Sequence, residues 1–330
     1  MKILRCMAIA ILAIVLLAAF AWAVGALYYD GPARWLAAVQ AVAIVTVFGC
    51  IRRWWPKLAI FGGWFALVLT WWLALKPTNL GDWQPDVAQL AWAEVNGDEV
   101  TLHNVRNCEY RSEEDFTPHW ETRQLRLSHL TGIDIAVTYW GSPWMAHPIL
   151  SFQFSDAAPL CFSIETRKQA GQSYSAIGGL YRQFELIYIA ADERDVIRLR
   201  SNFRKDEQVY LYHSVATPAE ARLRLGEYLS ALNDLRANPR WYNAITTNCT
   251  TAIRQQHPAG ERMPWDWRLL VNGKADELMY ENRSIATGGL PFAELKRRAL
   301  INPAARAANQ APDFSARIRE GRPGLLPAVK

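Results

Sequence analysis

Apolar positions are unevenly spread along the 330 residues of this chain. The first quarter holds three nearly uncharged runs, about Met7 to Tyr28, Trp35 to Ile51 and Leu58 to Leu75. Each is roughly 17–22 residues long, enough for a helix to cross a bilayer core. They predict three transmembrane helices rather than a cleaved signal peptide, because two further runs follow the first after short turns. After Lys76 the pattern changes. A linker rich in Pro, Gly and Asp, "KPTNLGDWQPD", leads into runs of β-branched and aromatic residues, "EVTLHNV", "IDIAVTY", "PILSFQF" and "LCFSIET", which predict strands. Two more are expected in "ELIYIAADERDVIRLRS" and "VYLYHSV". Helical spacing then takes over in "TPAEARLRLGEYLSALNDLRANP". There Thr217 suits the N-cap, Pro218 the first helical position and Glu220 a capping box, with Ala221, Leu225, Leu229 and Leu232 on one apolar face. A second helix is expected from about Asn248 to His257, stopped by Pro258.

This pattern divides the chain into a three-helix anchor (1–76), a linker and lead-in (77–98), a folded domain (99–290) and a C-terminal stretch (291–330). The expected class is a membrane-anchored α+β protein with an antiparallel sheet packed on helices.

Charge refines the division. The net charge of +5 comes from the anchor: residues 1–76 hold seven Lys or Arg against one Asp, and the remainder holds 29 basic against 30 acidic residues. Nucleic-acid binding is therefore not expected, and 291–330 reads as a basic, solvated or lipid-facing tail. Lys2 and Arg5 precede the first run, and Arg52, Arg53 and Lys57 separate the second from the third, so both clusters belong on the cytoplasmic side. Three crossings then leave the large domain outside. In a bacterium this is an inner-membrane protein with a periplasmic domain, and the membrane phospholipids are its nearest partners.

Five cysteines remain to be placed. Cys6 and Cys50 sit at the ends of apolar runs. Cys108, Cys161 and Cys249 lie in a compartment that favours disulfides, and an odd number leaves one unpaired. The preferred pairing is Cys108 with Cys161, and three reduced thiols are the alternative. Cys249 differs from a buried structural thiol because Thr246, Thr247, Asn248, Thr250 and Thr251 surround it at a predicted helix start. A thiol there feels the positive end of the helix dipole, which favours the nucleophilic thiolate.

A cysteine nucleophile needs a base and a group that orients it. His147 heads the strand "HPILSFQF", and the return strand carries Glu165. If paired positions across this hairpin sum to 312, the two side chains face each other on one side of the sheet. An even turn would separate them. His103, flanked by Asn and Arg in "LHNVRN", is the rival base; His213 lies in a strand pattern, and His119, His129 and His257 lie in polar or turn-like surroundings. Arg106, Arg123 and Arg167 are candidates for an anionic head group. Asn248, Tyr139 and Arg167 complete the set of orienting or substrate-binding residues. No metal-type CxxC or HExxH spacing occurs, so no metal or cofactor is expected.

The segments "VTLHNVRNCEYRSEEDFTPHWETR", "YWGSPWMAHPILSFQF", "FSIETRKQAGQSYSAIGGLYRQFELIYIAADERDVIRLRSNFR" and "WYNAITTNCTTAIR" closely resemble the Lnb N-terminal periplasmic domain family, over most of the chain from about Trp83. That family is named after a bacterial lipoprotein N-acyltransferase. Its His-then-Cys order is similar to circularly permuted papain-like folds such as the lecithin:retinol acyltransferase and NlpC-type groups. The resemblance implies a permuted papain-like catalytic domain at 99–290, with Cys249 as nucleophile, His147 as base and Glu165 as third member. The family position near Cys108 is more often aromatic, which weighs against a shared disulfide. The implied activity is acyl transfer through a thioester on lipid or lipoprotein substrates. A cysteine peptidase or amidase, or a non-catalytic membrane scaffold, is the alternative from another class.

Overall fold

The three apolar runs form helices α1 (Lys2–Tyr29), α2 (Arg34–Cys50) and α3 (Trp54–Ala74) in the computed structural model, which describes residues 2–256, 265–269 and 272–325. His257 and Pro258, the expected stop of the Cys249 helix, lie outside the described residues. Two of these helices, α1 and α3, are long and apolar enough to cross a membrane, not the three expected. The 17 residues of α2 make a helix about 25 Å long at 1.5 Å per residue, short of a ~30 Å hydrocarbon core.

The chain divides into two units, one of residues 1–78, 173–185 and 240–244, the other of the rest. In the first, Ala23, Ala26, Leu27, Ala37 and Val68 form the buried seam, and small residues let the helices approach closely. Tyr181 packs against Gly25, where a Cβ would stand 2.0 Å from its hydroxyl, and stacks on Tyr29. Arg182 lies over the Trp72 ring and donates to the carbonyls of Trp72, Leu73 and Leu75 at the end of α3, where carbonyls run out of intrahelical donors.

The second unit is built on strands β1 (Trp92–Asn96), β2 (Glu99–Arg106), β3 (Glu109–Tyr110), β4 (Phe116–Thr117), β5 (Trp120–Arg126), β6 (Leu130–Tyr139), β7 (Ala146–Phe154), β8 (Leu160–Arg167), β9 (Glu185–Asp192) and β10 (Gln208–His213). The large sheet runs β1-β2-β9-β8-β7-β6-β10, with β5 also on β2. It is mixed rather than purely antiparallel, because β2 pairs with β9 in parallel at Arg106 and Ala191.

"ELIYIAADERDVIRLRS" is not strand throughout. The Asp192 side chain accepts from the Arg194 N–H and starts α4 (Glu193–Arg198), followed by a π-helical turn at Leu199–Phe203. Buried apolar positions in that run suit a strand or a buried helix equally, and the cap decides between them.

Helix α5 (Pro218–Ala237) has the full capping box at Thr217 and Glu220, and Ala221, Leu225, Leu229 and Leu232 are buried as expected. Its Tyr228 packs against Phe152 and Phe162 of the sheet. The remaining helices are α6 (Cys249–Gln256), α7 (Ala275–Glu281), α8 (Phe292–Ala299), α9 (Asn302–Ala307) and α10 (Phe314–Arg317). Ile149, Cys161, Ile187 and Leu211 of the sheet pack with Val196, Ile301, Ala305, Phe314 and Ile318, so 291–325 is part of the core and not a solvated tail. The basic residues that suggested a tail occupy the outer faces of these short helices or, like Arg319, enter buried ion pairs.

All five cysteines are free thiols, so the expected Cys108–Cys161 bridge is absent. Cys108 packs with Tyr110 and Leu199, whereas Cys161 lies in the main core, two separate apolar clusters. Burial pushes the Cys108 thiol up to about 11 and the Cys161 thiol well above its ordinary value, so both stay protonated at neutral pH.

Candidate active site

Strand pairing fixes the first half of the site. Ile149 pairs with Ser163 and Phe152 with Leu160, the register in which positions sum to 312 and His147 stands opposite Glu165. Side chains alternate along a strand, so His147, Ser163 and Glu165 share one face. His147 Nε2 is 2.7 Å from Ser163 Oγ and 3.2 Å from Glu165 Oε1. Ser163 Oγ donates to the same Glu165 oxygen at 2.7 Å, which places the His147 ring nitrogen on its acceptor side.

The helix start supplies the other half. Asn248 caps α6: its Oδ1 accepts from the Thr250 and Thr251 N–H groups at 3.1 and 2.9 Å. Cys249 thereby becomes the first residue of the helix, where backbone N–H groups have no intrahelical acceptor. Its thiol lies near enough to the His147 imidazole to favour the imidazolium electrostatically. Cys249 and His147 are each 5% exposed, so the pair is shielded from bulk water.

Charge is arranged around this pair. Burial alone would pull the His147 imidazolium down, but the facing Glu165 carboxylate and Cys249 together outweigh it and His147 is pushed up to about 9. Burial would likewise raise Glu165, yet His147 and Arg200 hold it well below the usual carboxylate range. Arg200, from the π-helical turn, donates to Glu165 at 2.7 Å and pairs with Glu207 at 3.3 Å. Glu165 is thus held from two sides. An imidazolium that persists to pH 9 beside a thiol is what a thiolate–imidazolium pair requires.

Other expected residues fall differently. Tyr139 does not face the sulfur; its hydroxyl donates to the Gly273 carbonyl at 3.1 Å and supports the backbone beside the site. Arg167 is committed to the lead-in segment: it donates to the carbonyls of Val87 and Ala88 and to Asn79, and lies over the Trp83 ring. It is a structural clamp, and binding a head group would break these bonds. His103 stacks on Trp92 and His213 pairs with Asp134 at 2.7 Å, so neither rival base occupies the position beside Cys249. Arg106 and Arg123 are likewise taken, by Asp195 and Asp192. His257 lies outside the described residues.

Sequence reading missed Ser163, Arg200 and Asn272. Ser163 could have been found, since period-two alternation puts it on the face of Glu165. The other two come from elements with no chemical motif. Ser163→Ala is expected to cost roughly 1–3 kcal/mol of stability or of transition-state binding, the range for one lost buried partner. Thermal melts and the alkylation rate of Cys249 would show which.

The site defines a class: a thiol, an imidazole and a carboxylate assembled at a helix start against a mixed sheet. The family model of the Lnb N-terminal periplasmic domain matches residues 116–273, a stretch that spans Cys249, His147, Ser163, Glu165 and Asn272. This is narrower than the resemblance expected from Trp83 onward. No curated protein and no solved structure matches the chain. The expected likeness to permuted papain-like folds has no support among these comparisons. The family match and the two long apolar helices are consistent with a membrane protein bearing a periplasmic domain.

Proposed function

We propose that this protein is a membrane-bound thiol acyltransferase that takes an acyl chain from a phospholipid ester onto Cys249 and passes it to a second nucleophile. The observation that carries the reading is a thiol at the capped start of α6 that interacts with an imidazole held by Ser163 and Glu165. The Cys249 thiolate attacks the ester carbonyl and a C–S bond forms. The lipid alkoxide leaves with the proton of the His147 imidazolium. A lipoprotein amine, or water, then attacks the thioester, gives its proton back to His147 and frees the thiolate. Glu165 stabilises the imidazolium in both halves.

Lipid rather than peptide as substrate is supported by what surrounds the pair. Trp144, Trp265 and Trp267 are more than half exposed. Trp144 packs near Trp267, with Lys274 over the Trp144 ring and Arg254, from the Cys249 helix, over the Trp265 ring. Exposed tryptophans beside cations suit the head-group layer of a membrane. The apolar helices α1 and α3 would hold the domain at the inner membrane, on its periplasmic side. Two crossings put the N-terminus and the domain on the same side, whereas a cytoplasmic N-terminus with a periplasmic domain requires α2 to cross as well; thiol-reagent accessibility of Ile3→Cys and Asn79→Cys in intact cells decides between the two.

The test of the activity is mass spectrometry of the full chain in detergent micelles after incubation with phosphatidylglycerol and phosphatidylethanolamine. An acyl adduct on Cys249, released by hydroxylamine and absent from Cys249→Ala, is the expected result. No adduct from lipid but one from an activated peptide ester would move the reading to a peptidase or amidase. A Cys249 inert to lipid, peptide ester and iodoacetamide alike would leave a scaffold.

A further inference from the structure

A second side chain touches the sulfur. Asn272 Nδ2 donates to Cys249 Sγ at 3.1 Å, and Asn272 Oδ1 accepts from Thr250 Oγ1 at 2.8 Å. With Thr250 Oγ1 donating to the amide oxygen, the NH2 group faces the sulfur.

The backbone at this point is clamped as well. The Gly273 N–H donates to the Trp144 carbonyl at 3.1 Å, and the Gly273 carbonyl accepts from Tyr139. A Cβ at Gly273 would come 2.3 Å from the Pro143 carbonyl oxygen, so only glycine allows this approach. Pro143 and Trp144 belong to the turn that delivers His147. Asn272 is therefore tied to the helix that carries the thiol and to the loop that carries the base.

We infer that Asn272 is a catalytic residue, the side-chain donor of an oxyanion hole whose other donor is the Cys249 backbone N–H. The inference rests on the acyl-transfer reading. When the thiolate attacks an acyl carbon, the C–S bond forms and the carbonyl π pair moves onto oxygen. That oxygen develops within about 3 Å of Sγ, inside the reach of a preorganised donor already beside the sulfur. Collapse restores the carbonyl and expels the alkoxide, which leaves with the His147 proton. The same donor serves the second tetrahedral intermediate, formed when the acceptor attacks the thioester. The pocket needs no reorganisation, because Thr250, Gly273 and Tyr139 hold the amide before substrate arrives.

Two reactions of the full chain in detergent micelles separate this role from others. Iodoacetamide alkylates the thiolate by displacement with no oxyanion, whereas p-nitrophenyl butyrate acylates it through one. Asn272→Ala is expected to slow acylation by roughly 10²–10³-fold, the usual effect of one lost oxyanion donor, while alkylation at pH 7 changes only a few-fold. Asn272→Asp keeps the shape and the acceptor for Thr250 but removes the donor. It tests the same point if the alanine variant does not fold, with acylation falling further than alkylation. Equal losses in the two reactions would assign Asn272 to thiolate stabilisation alone and overturn the proposal, as would unchanged acylation. Failure of the underlying reading looks different: wild-type Cys249 would resist both reagents, or Cys249→Ala would retain acylation.

Discussion

Replacing Cys249 by alanine is expected to abolish acyl transfer, and replacing His147 by alanine to reduce it by on the order of 10⁴-fold or more, with little further loss in the double variant. Residues that act as one unit are strongly non-additive, since each is useless without the other. The two interact electrostatically and are each 5% exposed. The alkylation rate of Cys249 carries the same signature without any substrate. In the wild type the imidazolium that faces the sulfur is lost only as pH rises through about 9, where Glu165 and Cys249 together have pushed His147. In His147→Ala the rate at pH 6–7 should fall roughly 10- to 100-fold and follow an ordinary thiol titration. Independent, additive losses would separate the roles of the two residues. The raised His147 also has a stability consequence. The Glu165–His147 pair stabilises the fold fully below the ordinary histidine value of 6.5, and this contribution disappears as pH passes about 9.

Arg319→Met is expected to destabilise the second unit by about 3–5 kcal/mol, the cost of breaking a buried ion pair from one side. Arg319 reaches Glu193 at 2.5 Å and Asp134 at 2.8 Å, with its side chain and both carboxylates no more than 2% exposed. Ser151 also donates to Glu193, so the cluster joins the C-terminal helices, α4 and the centre of the sheet. Methionine fills similar volume but leaves two buried carboxylates without their cation. Burial alone would raise Glu193; Arg319 and its hydrogen bonds hold it below the ordinary value of 4.5. A depressed carboxylate contributes stability that is present above that value and is lost as pH falls through the folded one. The gap between wild type and Arg319→Met should therefore be widest near neutral pH and shrink on acidification. Urea titrations at pH 7 and pH 4 check this, and an equal gap at both would separate Arg319 from Glu193. If 291–325 were a tail, the substitution would have no effect.

The sequence by itself determined the apolar segments, the capped helix α5, the strands around the hairpin and the chemical identity of Cys249, His147 and Glu165. These follow from local rules: periodicity, capping residues, and a thiol among hydroxyl and amide groups at a helix start. It also narrowed the hairpin to two registers, one of which puts His147 opposite Glu165. The tertiary structure chose between them, because register depends on which face of β7 and β8 meets the core. It decided, too, that Arg167 is a clamp and not a ligand-binding cation, since its partners Val87, Ala88 and Trp83 lie about 80 residues away in sequence. The C-terminal stretch misled for a related reason. Its basic residues read as solvated, but burial of Leu295, Ile301, Phe314 and Ile318 against the sheet outweighs that tendency, and Arg319 finds carboxylates that only folding brings near. Asn272 was invisible for the same reason. A single amide after a tryptophan-rich turn has no local signature, and its role comes from the 3.1 Å to a sulfur 23 residues away that the fold alone sets.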